Sequence, residues 1–450
     1  MNKNDAPAGM IDSRLFRDQF GTAEMRAVFS DEATLGGWLE AEVSLARAQA
    51  DHGLIPARAA QTIHDCAKVD RFDFTQLRAG IAVAKHPLVP AIKALEAACG
   101  KAGPYVHFGA TTQDIMDTGM VLQIRTGWDI IERQLAELIA AIRKLARQHK
   151  ATPMAGRTHG QHAVPITFGF KLAVIVAELR RHADRLSEAR PRILVGQLSG
   201  AAGTLATLGD KADAVRQDMM RHLGLGVPAI SWHTARDGIA ECMFILSLIA
   251  STAGKIANEI VNLQRTEIAE VAEPAGPEAT GSSTMPQKRN PMTAQSVVAL
   301  ARLVRGSPGH ALEAMMHEHE RDLSAWQSEW ALVPENFIMV SGALEQLTAI
   351  MSGLQVDDTR MRENLLLTGG LISAETVMMR LANAIGRQRA HDLVEKLIKE
   401  TATDGTQFID ALSANATVSA HLTRRELEDL LAPEAWLGEA VAATERILKK

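Results

Sequence analysis

The chain has 450 residues, 46% of them hydrophobic, 22% charged and 4% aromatic, and its formal net charge at pH 7 is −5. This length allows a large buried core in two or three domains, and the absence of a basic block argues against a nucleic-acid partner. The three cysteines lie far apart without a CxxC pair, which predicts neither a zinc site nor a disulfide framework and favours a cytoplasmic location.

Residues 1–110 combine short helical patterns with breaks such as DHGLIPA and AKHPLVP, and they predict an N-terminal helical domain. After this stretch the pattern changes. From Asp117 to about Lys150 proline is absent and apolar residues recur at helical spacing. This predicts a helix of about 30 residues, much longer than the globular mean of about 11–12 residues.

More long helices are predicted further along the chain, over roughly 166–189, 236–271 and 311–351. A shorter helix is predicted to begin near Pro291. Long amphipathic helices with wide apolar faces are typical of helical bundles, so the predicted fold class is all-α with a central long-helix domain over 111–355. Several apolar faces are too broad for one bundle to bury, which predicts a homo-oligomer.

The last part of the chain, 356–450, has shorter helical patterns and predicts a small C-terminal helical domain. Within it, Thr423 followed by Glu426 predicts a capping box at a helix start. The most apolar run of the chain, 242–254, is too short to span a membrane and predicts a buried helix. The first twenty residues lack a hydrophobic signal-peptide core, so no membrane association is expected.

The loop ATGSSTMPQKRNPM, over 279–292, interrupts the helical pattern with many polar groups. Backbone N–H groups at a helix that starts near Pro291 favour an anion. Lys288 and Asn290 add donors, and Ser282 and Ser283 add hydroxyls that can carry a proton. A serine-rich capping loop is the simpler interpretation, but the number of donors around one helix start favours a binding site.

Two other polar stretches interrupt the bundle pattern. In GRTHGQHA, His159 and His162 are three residues apart and could share a helix face, but no acidic or cysteine ligand lies nearby, so no metal site is predicted. Thr158 and Gly160 flank His159 as in a shaped loop. In YVHFGATTQD, polar side chains could bind carboxylates or cap the following helix, and these are His107, Thr111, Thr112 and Gln113.

Outside these loops, His86 in AKHPLVP is as compatible with a structural role as with a functional one. The stretch HEHERDLSAWQSEW, over 317–330, predicts an amphipathic helix with exposed charges and two half-buried tryptophans, Trp326 and Trp330. No Rossmann glycine pattern or phosphate-binding loop occurs in the chain, so no cofactor is expected.

GSSTMPQKRNP resembles the signature loop of the fumarase/aspartase superfamily, and HFGATTQDIMDTG and GRTHGQHAVPITFG resemble the other two signature regions in the expected order. The resemblance covers essentially the whole chain. Within the superfamily, SWHTARDGIAE, the WxxEW at Trp326–Trp330 and LLAPEAWLGEA are similar to the branch that lactonises 3-carboxy-cis,cis-muconate. The signature loop corresponds here to 273–291.

The resemblance implies a three-domain helical subunit, a homotetramer whose active sites draw loops from three subunits, and a small polycarboxylate substrate. It implies that Ser282, with Ser283 as its neighbour, transfers a proton at the carbon α to a carboxylate. Lys288 and Asn290 match positions that bind substrate carboxylates. The other residues at family substrate-site positions are His107, Thr111, Thr112, Thr158 and His159.

One position departs from the elimination branches of the family, in which a glutamate seven residues after the signature lysine pairs with the active-site histidine. Here that position is Gln295, and a neutral amide cannot raise the basicity of His159 as a carboxylate does. Lactonisation needs no acid for a leaving group, so Gln295 favours a cycloisomerase and makes His159 a binder or orienter of substrate.

Two alternatives remain at this point. In an adenylosuccinate lyase, His86, His107 and His159 would match the three histidines of that branch. A catalytically silent structural protein on the same fold is disfavoured by the retention of Ser282, Lys288 and Asn290.

Overall fold

The computed structural model describes residues 9–274, 285 and 287–449. The chain divides into two compact units. Unit 1 comprises 1–136, 181–254 and 296–345, and unit 2 comprises 137–180, 255–295 and 346–450. The predicted all-α class is confirmed, because helices dominate the described residues and strands form only two short antiparallel pairs. The three-domain boundaries stay a prediction.

The helices in chain order are α1 (Arg17–Phe20), α2 (Ala23–Val28), α3 (Asp31–Asp51), α4 (Ala57–Cys66), α5 (Phe74–Ala84), α6 (Leu88–Cys99), α7 (Thr112–Gln148), α8 (Phe168–Ile193), α9 (Ala212–Leu223), α10 (Asp237–Leu263), α11 (Met292–Val304), α12 (Ser307–Glu313), α13 (Leu323–Gly353), α14 (Asp358–Leu366), α15 (Ala374–Ile385), α16 (Arg387–Asp404), α17 (Phe408–Ala414), α18 (Ala416–Ser419), α19 (Arg424–Leu431) and α20 (Ala440–Lys449). The strands are β1 (Pro153–Thr158), β2 (Gln161–Thr167), β3 (Val271–Ala272) and β4 (Gln355–Val356). β1 pairs with β2, and β3 pairs with β4.

The long helices form where apolar residues recur at helical spacing. On α7, which has 37 residues, this spacing runs through a set of side chains that are all 0–1% exposed: Ile124, Ile131, Leu135, Leu138 and Ile142. Each buried aliphatic side chain of this size contributes about 1.5–3 kcal/mol relative to an exposed one. The apolar face therefore stabilises a helix three times longer than the usual one.

Two predicted helices are shorter than expected. The helix predicted over 236–271 ends at Leu263, whose carbonyl accepts a hydrogen bond from the Glu270 N–H at 2.9 Å across a turn. The helix predicted over 311–351 is divided into α12 and α13. α13 begins directly after Asp322, whose Oδ1 accepts the Ser324 N–H at 2.8 Å, as a side chain that caps a helix start does.

α10 is long and apolar enough to cross a membrane, with a mean hydropathy of 1.6, but 72% of its most apolar window is buried inside the protein. A core helix has the same properties, so the buried helix predicted at 242–254 is confirmed. In the C-terminal part, the capping box of Thr423 and Glu426 is also confirmed at the start of α19. Helices α15–α19 bury a common core there, made of Val377, Leu381, Ala390, Val394, Leu397, Phe408, Leu412, Val418, Leu422 and Leu427.

Candidate active site

The loop that precedes α7 in unit 1 carries His107 and Thr111, and Thr112 is the first residue of α7. Its backbone turns sharply, since His107 has a φ of 57° and Gly109 a φ of 76°. A side chain at Gly109 would also meet the Leu208 side chain at 2.7 Å, so glycine is required there for both conformation and space. Helix α3 holds the loop from one side, where the Gln49 amide donates to the Phe108 carbonyl at 2.5 Å.

His107 is bound by the side chain of Glu42 on α3 at two points. The Glu42 Oε1 lies 2.6 Å from the His107 Nδ1, and the Oε2 accepts the His107 N–H at 3.1 Å. The Glu42 side chain is 4% exposed and that of His107 is 16% exposed. Burial by itself lowers the pKa of His107, but the charge of Glu42 and the hydrogen bond to it outweigh this effect and raise the pKa above its ordinary value.

Arg321 brings a guanidinium group onto the two threonines. Its Nη1 donates to the Thr111 Oγ1 at 2.6 Å, and its Nη2 lies 3.5 Å from the Thr112 Oγ1. Arg321 is exposed and lies in the non-helical segment between α12 and α13, where His319 has a φ of 53°. An exposed guanidinium beside two hydroxyls is suited to bind a carboxylate.

Asp114 belongs to this site, although the sequence analysis did not identify it. Its buried carboxylate accepts three backbone N–H groups at 2.9 Å, from Thr111, Ser199 and Gly200, and lies 2.8 Å from the His233 Nε2. It thereby ties the Thr111 loop to the polar stretch GQLSGAAG. Gln113, by contrast, is buried and donates to the His233 carbonyl at 3.0 Å, so its role here is structural.

His86 is half-buried at the start of α6, where its Nδ1 accepts the Leu88 N–H at 3.3 Å. Burial first, and then the positive charges of Arg321 and His107, lower the pKa of His86. The pKa values of His86 and His107 are thus shifted in opposite directions, so the cluster favours the neutral form of His86 and the charged form of His107, each relative to an ordinary histidine.

Behind this cluster a buried ion cluster connects α7, α13 and the residue before α10. Arg236 donates to both oxygens of Asp117, at 2.7 and 3.0 Å, and to the carboxylate of Glu329. All three side chains are at most 1% exposed. Burial raises the pKa of Glu329, although the charge of Arg236 opposes this shift. The Trp326 indole also donates to Asp117, at 2.9 Å.

This arrangement corrects part of the prediction over 317–330. Glu318, Glu320 and Arg321 are exposed and Trp330 is half-buried as predicted, but Trp326 and Glu329 are buried. The helix begins only at Leu323, Trp326 is 2% exposed, and Glu329 is 1% exposed. The prediction failed because Glu329 finds its partner Arg236 at a distance of 93 residues along the chain. Helical periodicity alone cannot identify such a partner.

In unit 2, Thr158 and His159 lie at the tip of the hairpin formed by β1 and β2. Thr158 pairs with Gln161, so His159 and Gly160 form a two-residue turn. Their φ values of 53° and 76° are those of the tight hairpin turns that require left-handed residues. The shaped loop predicted around His159 is confirmed. The helix face shared with His162 is wrong, because both histidines belong to a hairpin and His162 lies on β2.

A buried carboxylate anchors the hairpin. Arg157, the residue before Thr158, forms a bidentate pair with Glu270 at 2.6 and 3.0 Å, and the Glu270 side chain is 0% exposed. The Asn364 amide donates to the same carboxylate at 2.8 Å. Arg157 is thus fixed, which leaves Thr158 and His159 exposed at a tip of defined position.

Glu273 closes the base of the signature loop. Its carboxylate accepts the N–H groups of Thr293 and Ala294, at 3.1 and 3.0 Å, at the start of α11. An anion at this helix start was predicted, but the anion is Glu273 itself, which is 8% exposed. Glu273, the first residue of the signature loop, therefore caps the start of the helix that follows the loop, where a negative charge is favourable. Ser282 and Ser283 lie outside the described residues.

Lys288 is exposed and Asn290 is half-buried on the segment that leads into α11. The Lys288 N–H donates to the Met285 carbonyl at 3.0 Å, which shapes a turn. Gln295 is exposed on the first turns of α11. Within the described part of unit 2, neither the Gln295 side chain nor the His159 ring forms a hydrogen bond, so no acid–base pair joins them there.

The sequence-predicted site residues thus form two groups. Unit 1 brings together His107, Thr111 and Thr112 and adds Arg321, Asp114 and Glu42, which the sequence analysis did not single out as site residues. Unit 2 carries Thr158 and His159 on the hairpin and Lys288 and Asn290 after the signature loop. Glu42 had no local signal, because it acts on a loop 65 residues away.

Comparison with known proteins adds to this geometry. A family model described as lyase matches residues 18–306, and one described as adenylosuccinate lyase C-terminus matches residues 370–447. The chain is 43% identical to a Pseudomonas aeruginosa protein named 3-carboxy-cis,cis-muconate cycloisomerase, over 99% of this chain and 97% of the relative. It is 40% identical to an Enterococcus italicus protein named N-acetyl-S-(2-succino)cysteine lyase, over 98% and 96%.

Among solved structures, the chain is similar to the 3-carboxy-cis,cis-muconate lactonizing enzyme from Pseudomonas putida. The TM-score is 0.93 and the sequence identity 42%, and the match covers 97% of this chain and 98% of that chain.

Proposed function

From the premise that the chain belongs to the fumarase/aspartase superfamily, we propose that it is a cycloisomerase that lactonises 3-carboxy-cis,cis-muconate or its 3-sulfo analogue. The observation that carries this proposal is Gln295. It is an exposed amide at the position where eliminating relatives place the glutamate partner of the active-site histidine. The likeness in sequence and structure to proteins named for this reaction supports the proposal.

Each unit carries donors that suit carboxylates, as a substrate with several carboxylates requires. In unit 1, Arg321 with the hydroxyls of Thr111 and Thr112, together with His107, whose pKa is raised, offers a subsite for one anion. Lys288 and Asn290 offer donors for another. Preorganised donors of this kind stabilise the charge that develops on a carboxyl group while the neighbouring carbon reacts.

In the proposed reaction, an oxygen of one substrate carboxylate bonds to a carbon of the conjugated double bond. The π electrons move to the adjacent carbon, which lies α to another carboxylate, and that carboxylate takes up the charge. Ser282 then supplies the proton that forms the new C–H bond, and solvent returns a proton to the site. No group leaves, so no leaving-group acid is required, and His159 binds or orients the substrate.

The proposal includes a homotetramer in which loops from three copies complete each site, with Ser283 beside Ser282. Exposed apolar side chains on α10 support an assembly, since Phe244 and Leu248 lie one turn apart and are 40% and 44% exposed. A cytoplasmic role in the breakdown of protocatechuate, a route of aromatic catabolism, belongs to the same proposal.

Gln295 also favours a second candidate, a lyase that expels a thiolate from a succinylated thiol. A thiolate is the base of an acid with a pKa of about 8.5, so it leaves with far less help than an amine or hydroxide does. The 40% identity to a protein named N-acetyl-S-(2-succino)cysteine lyase supports this candidate. Expulsion of an amine, as in adenylosuccinate lyase, lacks the matching acid.

Proton NMR of the purified protein incubated separately with each substrate tests the proposal. The substrates are 3-carboxy-cis,cis-muconate, 3-sulfo-cis,cis-muconate, N-acetyl-S-(2-succino)cysteine and adenylosuccinate. We expect muconolactone signals from a muconate and no fumarate from adenylosuccinate. The Ser282→Ala variant is the control for a contaminating activity. Release of fumarate from the thioether without turnover of either muconate would replace the first proposal by the second.

A further inference from the structure

The contact between Glu42 and His107 does more than stabilise the packing of α3 against the loop before α7. The structure assigns to Glu42 the role of a positioning residue, which holds the His107 ring and backbone in place and keeps a proton on the ring for a substrate carboxylate. This inference rests on the proposed function insofar as it names a carboxylate as the ligand. No step of the lactonisation assigns a task to Glu42.

The geometry of the contact fixes more than one property of His107. A carboxylate that binds both the Nδ1, at 2.6 Å, and the main-chain N–H, at 3.1 Å, determines which ring nitrogen faces the protein and how the backbone turns. His107 has a φ of 57°, a conformation that non-glycine residues adopt only with support from their surroundings. With Nδ1 occupied by Glu42, the Nε2 is the nitrogen left for a ligand.

The burial of Glu42 makes the contact electrostatic as well. A carboxylate with 4% of its side chain exposed needs a compensating charge, and a protonated His107 supplies it. The charged or titratable groups that face His107 or share its cluster are Glu42 on α3, Asp114 on α7, Glu96 on α6, His86 and Arg321. Asp114 already serves three backbone N–H groups and His233, which leaves Glu42 as the direct partner of His107.

A charged His107 beside the Arg321–threonine contact gives this subsite two cationic groups. If Glu42 maintains one of them, affinity for a carboxylate should depend on pH through His107. The carboxylate would be held while His107 is protonated and released as the pH rises through the raised pKa of His107. In a Glu42→Gln variant burial remains but the compensating charge is gone, so the pKa of His107 falls and the loss of affinity moves to lower pH.

The chain offers a matched control in Glu96. The charge of Glu96 also raises the pKa of His107, but less than the charges of Glu42 and Asp114 do, and Glu96 is exposed. Glu96→Gln removes the same formal charge without removing a hydrogen bond to His107. A structural role for Glu42 predicts a loss of thermal stability only, whereas the proposed role predicts a change in the proton affinity of His107.

The experiment titrates the ring of His107 by NMR in protein labelled at the histidine Cε1, with the signal assigned by its loss in His107→Gln. The protein is the full chain in its native assembly. We expect the proton affinity of His107 to fall at least tenfold in Glu42→Gln and less than twofold in Glu96→Gln. An unchanged His107 titration in Glu42→Gln overturns the proposal. Should that variant not fold, a wild-type His107 pKa at or below the ordinary value overturns it.

Calorimetry with tricarballylate, a tricarboxylate that cannot react, measures binding separately from turnover. At pH 8 we expect Glu42→Gln to bind it about tenfold more weakly than wild type, with most of the loss recovered at pH 6. Equal weakening at both pH values, or no binding by wild type, overturns the role in carboxylate binding. Failure to lactonise muconate defeats the proposed function alone, because the titration of His107 does not depend on the substrate.

Discussion

Asp114 gives the sharpest stability prediction, because one buried carboxylate serves four donors. Replacing it with asparagine keeps the shape but leaves one acceptor oxygen and turns an NH₂ group towards backbone N–H groups. Each oxygen accepts two donors, so the NH₂ group displaces two charge-assisted contacts: those to Ser199 and His233 if it replaces Oδ1, or those to Thr111 and Gly200 if it replaces Oδ2. Hydrogen bonds to charged groups contribute about 1.5–3 kcal/mol each, so we expect Asp114→Asn to lower the free energy of unfolding by about 3–6 kcal/mol.

The melting temperature should fall accordingly. An unfolding entropy of roughly 2.1 cal/mol/K per residue gives about 0.9 kcal/mol/K for this chain if it unfolds cooperatively. The expected decrease in Tm is therefore about 3–6 °C by calorimetry. Asp65→Asn is the control, because that carboxylate is exposed and its substitution should change Tm by less than about 1 °C. If Asp114→Asn also changes Tm by less than 1 °C, the four contacts do not stabilise the two loops as argued.

Ser282→Ala should lower kcat by at least the ~10²–10⁴-fold that a positioned proton donor contributes, with the assembly intact in size-exclusion chromatography; near-normal turnover would move the role to Ser283. Gln295→Ala should lower kcat/KM by at most about tenfold, which corresponds to the roughly 1.4 kcal/mol of one modest hydrogen bond. His159→Gln should raise KM more than it lowers kcat, and joint abolition of kcat by both substitutions would reveal an acid–base pair. Dialysis against EDTA should leave the rate unchanged, and a loss that a divalent ion restores would show that a metal is required.

Local patterns predicted the long helices and the capping box of Thr423 because their causes are local. Periodic burial along α7 and a threonine that caps its own helix need no knowledge of the rest of the chain. The breaks were harder to predict. The hairpin at 153–167 was missed because the three-residue spacing of His159 and His162 also suits one face of a helix, whereas the left-handed φ of His159 and Gly160 makes a turn.

The candidate site was predicted only to the extent that its residues lie in recognisable motifs. The sequence does not show which partner fixes each motif. Glu42 acts on a residue 65 positions away, Asp114 on the backbone 85 positions away, and Glu273 on a helix start 20 positions away. Any of the 53 acidic residues could have filled such roles by type alone. Spatial proximity, which the fold creates, selects among them.

The buried cluster of Arg236, Asp117 and Glu329 restricts how this family member can acquire a new substrate. Sliding α13 against α7 would break several buried charge-assisted contacts at once, and removing one partner of a buried ion pair typically costs about 3–5 kcal/mol. The loops that carry Thr111 and Arg321 therefore lead into helices α7 and α13, whose relative position is fixed by these buried contacts. Within this unit, a change of substrate has to arise from exchanged side chains on loops of fixed shape, because the helices beneath them cannot shift by small, inexpensive steps.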